Sequence, residues 1–412
     1  MIRLSLEEVA RVVRGELETT DDAREITAVQ VDSRRIEPGA LFVAVGRGAE
    51  FKEDAFARGA AATLIPDDAF AALGAIGRAV VDRSRARVIG ITGSTGKTST
   101  KDILAALCAP SARTIAAEAS YNNEIGVPLT LCRLEDDTEV CIVELAMRGF
   151  GQIAELCEIA RPEIGVVTNV GPAHLELVGD LDGVIRAKSE LVAALPAGGT
   201  AIVPAGFPVE RDDIDVVRIG EPETRRDDGR TVVDGVSFNF AARHQAANAA
   251  AALAALKALG LPRPEAVDVD FSRWRGDEAT LPGDGLLIND SYNANPVSMR
   301  AALAYLAERA GDRRRVAILG DMAELGRTGP AYHREVGEAV AEVGVDELLA
   351  VGQLARGYVE GAPGVESHWV ANVHEALRVL DEVVRPGDCV LVKASRAVGL
   401  EAVAEALAAV RA

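Results

Sequence analysis

The hydrophobic pattern of the chain changes character in blocks. Residues 1 to about 85 mix one short amphipathic stretch with apolar runs such as Leu41-Phe42-Val43-Ala44-Val45. Ser5-Leu6-Glu7-Glu8 opens the first stretch as a capping box, which predicts an ordinary helix and not a signal peptide. From about 86 to 272, short apolar runs at 87–92, 140–145, 164–169 and 200–203 alternate with helical periodicity. Such runs read as buried strands, and their alternation with helices predicts a mainly parallel sheet with covering helices. A second alternating block follows Trp274, with strands near 286–289, 315–319, 347–351 and 389–392. Arg275-Gly276-Asp277 has the glycine and charge of a hinge, and the turn-rich segment Glu221 to Gly235 predicts a solvated hairpin. The alanine-rich run Ala246 to Leu259 is broken by Asn248 and Lys257, so no membrane insertion is expected.

One strand-to-helix junction carries a chemical signal. Gly90-Ile91-Thr92-Gly93-Ser94-Thr95-Gly96-Lys97-Thr98 follows an apolar run and opens a helical pattern. Backbone N–H groups of such a turn and the positive helix end bind phosphate; Lys97 reaches the outer phosphates and Thr98 can hold Mg²⁺. The spacing departs from the common GxxxxGK pattern, because position 91 is Ile and the outer glycine is Gly90. In open α/β sheets ligands bind beyond the carboxyl ends of the strands. Lys97, Glu144 and His174 stand at such ends in the central block, and Asp290, Asp321 and Lys393 in the last, so an active site between two rims is expected.

Glu144 closes an apolar strand and is placed to hold Mg²⁺ together with Thr98. His174 lies past another strand end, where a lone histidine is more often structural than a ligand. Lys188, on a predicted helix, reads by itself as a surface lysine. His244 and Asn248 are one helical turn apart and share a face. Asp290-Ser291-Tyr292-Asn293-Ala294-Asn295-Pro296 sets polar and turn-forming residues directly after a core strand, a costly arrangement unless they bind something.

Composition narrows the partners. With 44 basic against 63 acidic residues the chain repels polyanions, which argues against nucleic acid; Arg313-Arg314-Arg315 reads as solvated surface. Five scattered cysteines, at 108, 132, 141, 157 and 389, contain no CxxC pair and fit reduced thiols in a cytoplasm. A chain of 412 residues is long for one domain.

The order of motifs resembles the Mur ligase family, the ATP-dependent amide-bond ligases of peptidoglycan precursor synthesis. The resemblance covers nearly the whole chain. It rests on Thr92 to Thr98, Asn122-Asn123-Glu124-Ile125-Gly126-Val127-Pro128-Leu129-Thr130, Glu144 with Met147, and Thr168-Asn169 through His174-Leu175-Glu176. Ala187-Lys188-Ser189-Glu190-Leu191 and His244 with Asn248 continue the series. Asp290 to Pro296, Gly320-Asp321-Met322-Ala323-Glu324-Leu325-Gly326 and Lys393-Ala394-Ser395-Arg396 resemble the branch that adds the terminal dipeptide. The fold this implies is α/β in three domains. They are a small N-terminal α/β domain binding the UDP substrate (1–85), a central P-loop-type domain with a mainly parallel sheet (86–272), and a C-terminal Rossmann-like domain (273–412).

The resemblance also implies roles. Gly93, Ser94, Thr95, Gly96, Lys97, Thr98 and Ser99 would bind ATP. Thr98, Glu144, His174 and Lys188 would hold two Mg²⁺ ions, with Lys188 carbamylated by CO₂. Asn248 would read adenine, Arg275 the γ-phosphate and Asp290 the ribose; Asp32-Ser33-Arg34 looks like the uridine-nucleotide contact. Asn122 falls within a substrate motif, and Asn293, Asn295, Lys393 and Arg396 would lie near the dipeptide. The implied substrates are a UDP-muramoyl tripeptide and D-Ala-D-Ala, used by a cytoplasmic monomer serving cell-wall growth and division. The sequence departs from the pattern in places. Phe51-Lys52-Glu53-Asp54-Ala55-Phe56 stands where an Asp-Gly-His stretch is usual, Ala394 replaces a glycine, Gln245 follows His244 where Asn is frequent, and Val203-Pro204-Ala205-Gly206 lacks an Asn-Asp signature. An amide ligase of the same scaffold acting on a folate, cofactor or polyglutamate carboxylate stays open beside this reading. So do a non-catalytic nucleotide-binding protein and a P-loop kinase.

Overall fold

The computed structural model describes residues 1–227 and 229–409. Its central sheet has six parallel strands in the order Asp215–Ile219, Thr200–Pro204, Ile164–Val167, Arg87–Thr92, Val140–Glu144, Thr114–Ala116. Every residue of Val140–Glu144 is buried, as expected of a parallel strand covered on both faces. The register pairs Ile91 with Glu144 and Thr92 with Val167, so three strands end at one level. Strand order reverses about Arg87–Thr92, and in open α/β sheets the carboxyl end of a strand at such a switch point is where ligands bind.

A second six-stranded sheet runs Asp277–Leu281, Gly285–Asn289, Cys389–Lys393, Arg315–Gly320, Glu347–Val351, Glu366–Val370. Only its first strand is antiparallel to its neighbour. Alternate residues feed two cores, one on each face: Leu319, Leu348 and Leu391 on one, Ile318, Leu349 and Val392 on the other. The N-terminal segment forms a four-stranded sheet, Gly15–Thr19, Ala62–Pro66, Ala40–Val43, Ala28–Gln30. Its opening helix Leu6–Val12 carries the capping box in full: Ser5 accepts from the Glu8 N–H, and Glu8 accepts from the Ser5 N–H. The charged segment after 220 pairs Thr224–Asp227 with Arg230–Val233 as an antiparallel hairpin; residue 228 and the last three residues of the third block lie outside the described residues.

By density of packing the described chain divides into two units. One holds 1–168, 187–239 and 247–269, the other 169–186, 240–246 and 270–412. The N-terminal and central blocks thus count together, and the segment carrying His174 belongs with the last block. No helix among the described residues is long and apolar enough to cross a membrane.

In the second unit, helix Pro296–Ala310 begins at a reciprocal cap. Asn295 Oδ1 accepts from the Ser298 N–H at 2.9 Å, and Ser298 Oγ accepts from the Asn295 N–H at 3.0 Å. Asn295→Ala is expected to cost about 1 kcal/mol and lower the melting temperature, with Asn295→Ser recovering most of it. An unchanged melting temperature would show that the cap does not stabilise this unit.

Candidate active site

The glycine turn of the first unit is shaped by its neighbours. Gly93 (φ 153°) faces Thr168, whose Oγ1 would lie 1.8 Å from any Cβ there. Gly96 (φ 78°) faces Asn248, whose Oδ1 would lie 2.2 Å away. Both positions need glycine for conformation and for room. Thr168 Oγ1 donates to Thr95 O at 2.5 Å and fixes the turn from the next strand. Lys97 starts the helix Lys97–Cys108, and its Nζ donates to Gly93 O at 2.9 Å across the turn.

Beside the turn, Glu144 is 1% exposed. Thr98 Oγ1 donates to its Oε2 and Asn122 Nδ2 to its Oε1, both at 2.8 Å. These partners are neutral, and no cation pairs with Glu144 among the described residues. A buried carboxylate held by neutral donors next to a threonine hydroxyl is hard oxygen chemistry that suits Mg²⁺.

Lys188 is likewise 1% exposed, and no carboxylate pairs with it among the described residues. Burial, reinforced by the Lys97 ammonium, pulls its amine well below the usual lysine value, so the neutral form is favoured. It sits on a helix whose buried positions Val184, Ala187 and Leu191 form one stripe with it.

Sequence reasoning passed over Lys101, which is 3% exposed; its Nζ donates to Ala117 O at 2.8 Å and Ala119 O at 3.0 Å. It thereby holds the loop that carries Ser120 and Asn122 against the helix. Its signal was positional: Lys101 stands three and seven residues before Leu104 and Cys108, on the buried face. Elsewhere in this unit, Ser33 is buried, and its hydroxyl with the Arg58 guanidinium holds the Asp54 carboxyl below its usual range. Arg34 grips Asp32 through two bonds, 2.9 and 2.7 Å.

In the second unit, Lys393 Nζ donates to Asp290 Oδ2 at 2.5 Å and to Asn293 O at 2.9 Å. Burial lowers the Lys393 amine even though Asp290 opposes the shift. Arg275 stacks on the Tyr292 ring at 4.0 Å, and Arg396 on the Trp274 ring at 4.4 Å. His244 meets Tyr305 edge-on, with centroids 6.3 Å apart. His174 Nδ1 lies 2.5 Å from Glu324 Oε2. Lys97, Thr98, Asn122, Glu144, Lys188 and Asn248 therefore belong to one unit, and His174, Arg275, Asp290, Asn293, Lys393 and Arg396 to the other. Among the described residues one more group of possible metal donors exists, Glu347, Glu366 and His368. It stands at strand starts, and Arg314 already meets the charge of Glu347.

Comparison with known proteins cuts the chain differently, because the first family match includes 169–186 and 240–246. The Mur ligase middle domain matches residues 91–256, and the glutamate ligase domain of Mur ligases matches 278–396. A UDP-N-acetylmuramoyl-tripeptide–D-alanyl-D-alanine ligase of Synechocystis is 38% identical, covering 78% of this chain and 74% of its own. The protein of that name from Mycobacterium tuberculosis is 36% identical, covering 99% and 98%. The crystal structure of MurF from Acinetobacter baumannii superposes with a TM-score of 0.84 at 26% identity, covering 99% of both chains. MurF ligase from Thermotoga maritima in complex with ADP gives 0.78 at 25%, covering 93% of this chain and 97% of that one.

Burial of Lys188 has a measurable sign. In the window between its lowered folded value and 10.5 the unfolded lysine keeps a proton that the folded one has lost, and burial of this group makes the protein less stable below and within that window. Stability rises as pH climbs toward 10.5, where the penalty ends. Methionine carries no such penalty. In CO₂-free buffer Lys188→Met is expected to melt above the parent at neutral pH, with the gap closing toward pH 10.5. A gap of constant size would contradict the burial argument.

Proposed function

The chain belongs to the Mur ligase family, and from that membership we propose that it joins D-alanyl-D-alanine to a UDP-N-acetylmuramoyl tripeptide, driven by ATP, in peptidoglycan precursor synthesis. The observation that carries the reading is the buried Thr98–Glu144–Asn122 cluster on the edge of a phosphate-binding turn, in the same unit as the buried amine of Lys188. We assign 1–85 to the UDP substrate, 86–272 to ATP and the ligase centre, and 273–412 to the dipeptide and nucleotide.

Amide formation from a carboxylate in water is uphill, so the carboxylate must first be activated. The terminal carboxylate of the tripeptide attacks the γ-phosphorus of ATP; an O–P bond forms, the bond to the bridging oxygen breaks and ADP leaves. The dipeptide amine then attacks the acyl carbon: a C–N bond forms, the C–O bond to the phosphoryl group breaks, phosphate departs and the amine nitrogen loses a proton. Lys97 and the N–H groups of 93–98 meet the charge on the transferring phosphoryl, and one such donor is worth about 10²–10³ in rate. Thr98, Glu144, His174 and a carbamylated Lys188 are the residues that would hold Mg²⁺, which supplies charge neutralisation at the phosphoryl oxygens. Carbamylation requires the neutral form of the amine, toward which burial shifts Lys188: the nitrogen lone pair adds to the carbon of CO₂, and a proton is released. Asn248 and Asp290 serve adenine and ribose, Arg275 the γ-phosphate, and Asn293, Asn295, Lys393 and Arg396 the dipeptide side. Ser33 and Arg34 face the uridine nucleotide. The cysteines support a reducing, cytoplasmic setting: all five are buried, and burial pushes the Cys132 and Cys141 thiols up to about 12.

Phosphate release with ATP and the muramoyl tripeptide should depend on D-Ala-D-Ala and fall at least 10³-fold in Lys97→Ala with folding intact. Release only with a folate-type or polyglutamate carboxylate would assign the chain to the other branch of the scaffold. Carbamylation has its own readout. With ¹³CO₂, a carbamate carbon signal is expected in the parent and absent in Lys188→Met; its absence from both would remove the modification from the mechanism.

A further inference from the structure

The loop Asp321 to Gly326 has no role in the scheme above, yet it is anchored residue by residue. Asp321 Oδ1 accepts from the Ala355 N–H at 2.7 Å, and Oδ2 from the Gln353 N–H at 3.1 Å. The Met322 N–H donates to Nε2 of the fully buried His333 at 2.9 Å, and the other ring nitrogen of His333 donates to Gly329 O at 2.7 Å. The Ala323 N–H donates to Ser395 Oγ at 2.8 Å. Three successive residues are thus pinned, and the next is Glu324, in the left-handed region at φ 62°. Its carboxylate meets His174 Nδ1 at 2.5 Å, and its carbonyl accepts from the Glu176 N–H at 3.3 Å. Gly326 packs on the same segment; a Cβ there would lie 3.2 Å from Glu176 Cα. His174 also has a left-handed backbone, φ 57°. Both partners are held in strained conformations that point one side chain at the other, all within the second unit.

The geometry points to Glu324 as a positioning residue for His174. A carboxylate only accepts, so the proton of a neutral imidazole belongs on Nδ1, and the Nε2 lone pair is left to a metal ion. A carboxylate on the far nitrogen also makes the ligand more basic and fixes its ring plane, and losing such a partner typically costs 10–100-fold in metal affinity. This inference rests on the reading of His174 as a Mg²⁺ ligand.

Its first test needs no turnover. In the metal-free protein at mildly alkaline pH, long-range ¹H–¹⁵N correlations, assigned by their loss in His174→Gln, should show the Nδ1–H tautomer. Glu324→Ala should shift the ring to the Nε2–H form, and Glu324→Gln, which keeps an acceptor, should hold Nδ1–H. The second test is the Mg²⁺ dependence of ligase turnover. Glu324→Ala should need roughly 10–100-fold more Mg²⁺ for half-maximal rate, with dipeptide KM and melting temperature unchanged, and Glu324→Gln should lie near the parent. An Nε2–H ring in the parent, or a Glu324→Ala enzyme with the parent's Mg²⁺ demand, would overturn the assignment. Absence of turnover by the parent on the muramoyl tripeptide would instead overturn the functional reading, leaving the tautomer result to judge Glu324.

Discussion

The site depends on one electrostatic constraint: a carboxylate and an amine are buried in the same unit, and neither has an ionic partner among the described residues. Glu144 is buried and, among those residues, held only by neutral donors, which leaves it open to a cation. Burial and the Lys97 ammonium draw Lys188 toward its neutral form. Two groups of opposite natural charge could have satisfied each other. Glu144 is instead tied to Thr98 and Asn122, and Lys188 is placed where Lys97 also disfavours its charge. The register that sets Ile91 opposite Glu144 brings the carboxylate level with the phosphate turn. A one-residue slip would turn it to the other face of the sheet.

This arrangement also explains why parts of the molecule were legible in the sequence and others were not. Strands covered on both faces leave continuous apolar runs, so 87–92 and 347–351 were read with their observed bounds. The capping box and the turn-rich hairpin carry local signals and formed where expected. Strand 164–169 was read two residues too long, because Thr168 turns its hydroxyl to Thr92 and Thr95 in place of continuing the ladder. Lys188 read as surface when its charge was weighed, although its spacing from Val184, Ala187 and Leu191 placed it on the buried stripe. Glu324 left no such trace. Its partner lies 150 residues away, and only the fold brings them together.

The departures from the family pattern also have physical content. Ala394 is fully buried where a glycine is usual, and Gly320 provides the space: a Cβ on Gly320 would approach Ala394 Cβ to 2.6 Å. The altered segment Phe51 to Phe56 supplies Asp54, whose carboxyl Ser33 and Arg58 hold below its usual range. Ser33, which the resemblance would offer to the uridine nucleotide, is also buried. Asn295 shows the same double demand, because the oxygen that could face a dipeptide also caps a helix. The Asn295 side chain is therefore fixed by the fold itself.

Backbone strain is distributed accordingly. Seven residues other than glycine have positive φ among those described; Ala119 is one of them in the first unit, and His174, Trp274 and Glu324 are among those in the second. Ala119 lies in the loop that Lys101 clamps, Trp274 lies under Arg396, and His174 and Glu324 face each other. Each such conformation costs about 1–3 kcal/mol and persists only where the surroundings over-determine it. Here the surroundings are identifiable: two carbonyls on one lysine, a guanidinium on an indole, and a triply anchored loop. The same bonds that offset the strain also fix the directions in which Asn122, Arg396 and His174 point. In each unit the strained residues are thus held by identifiable bonds from neighbouring elements.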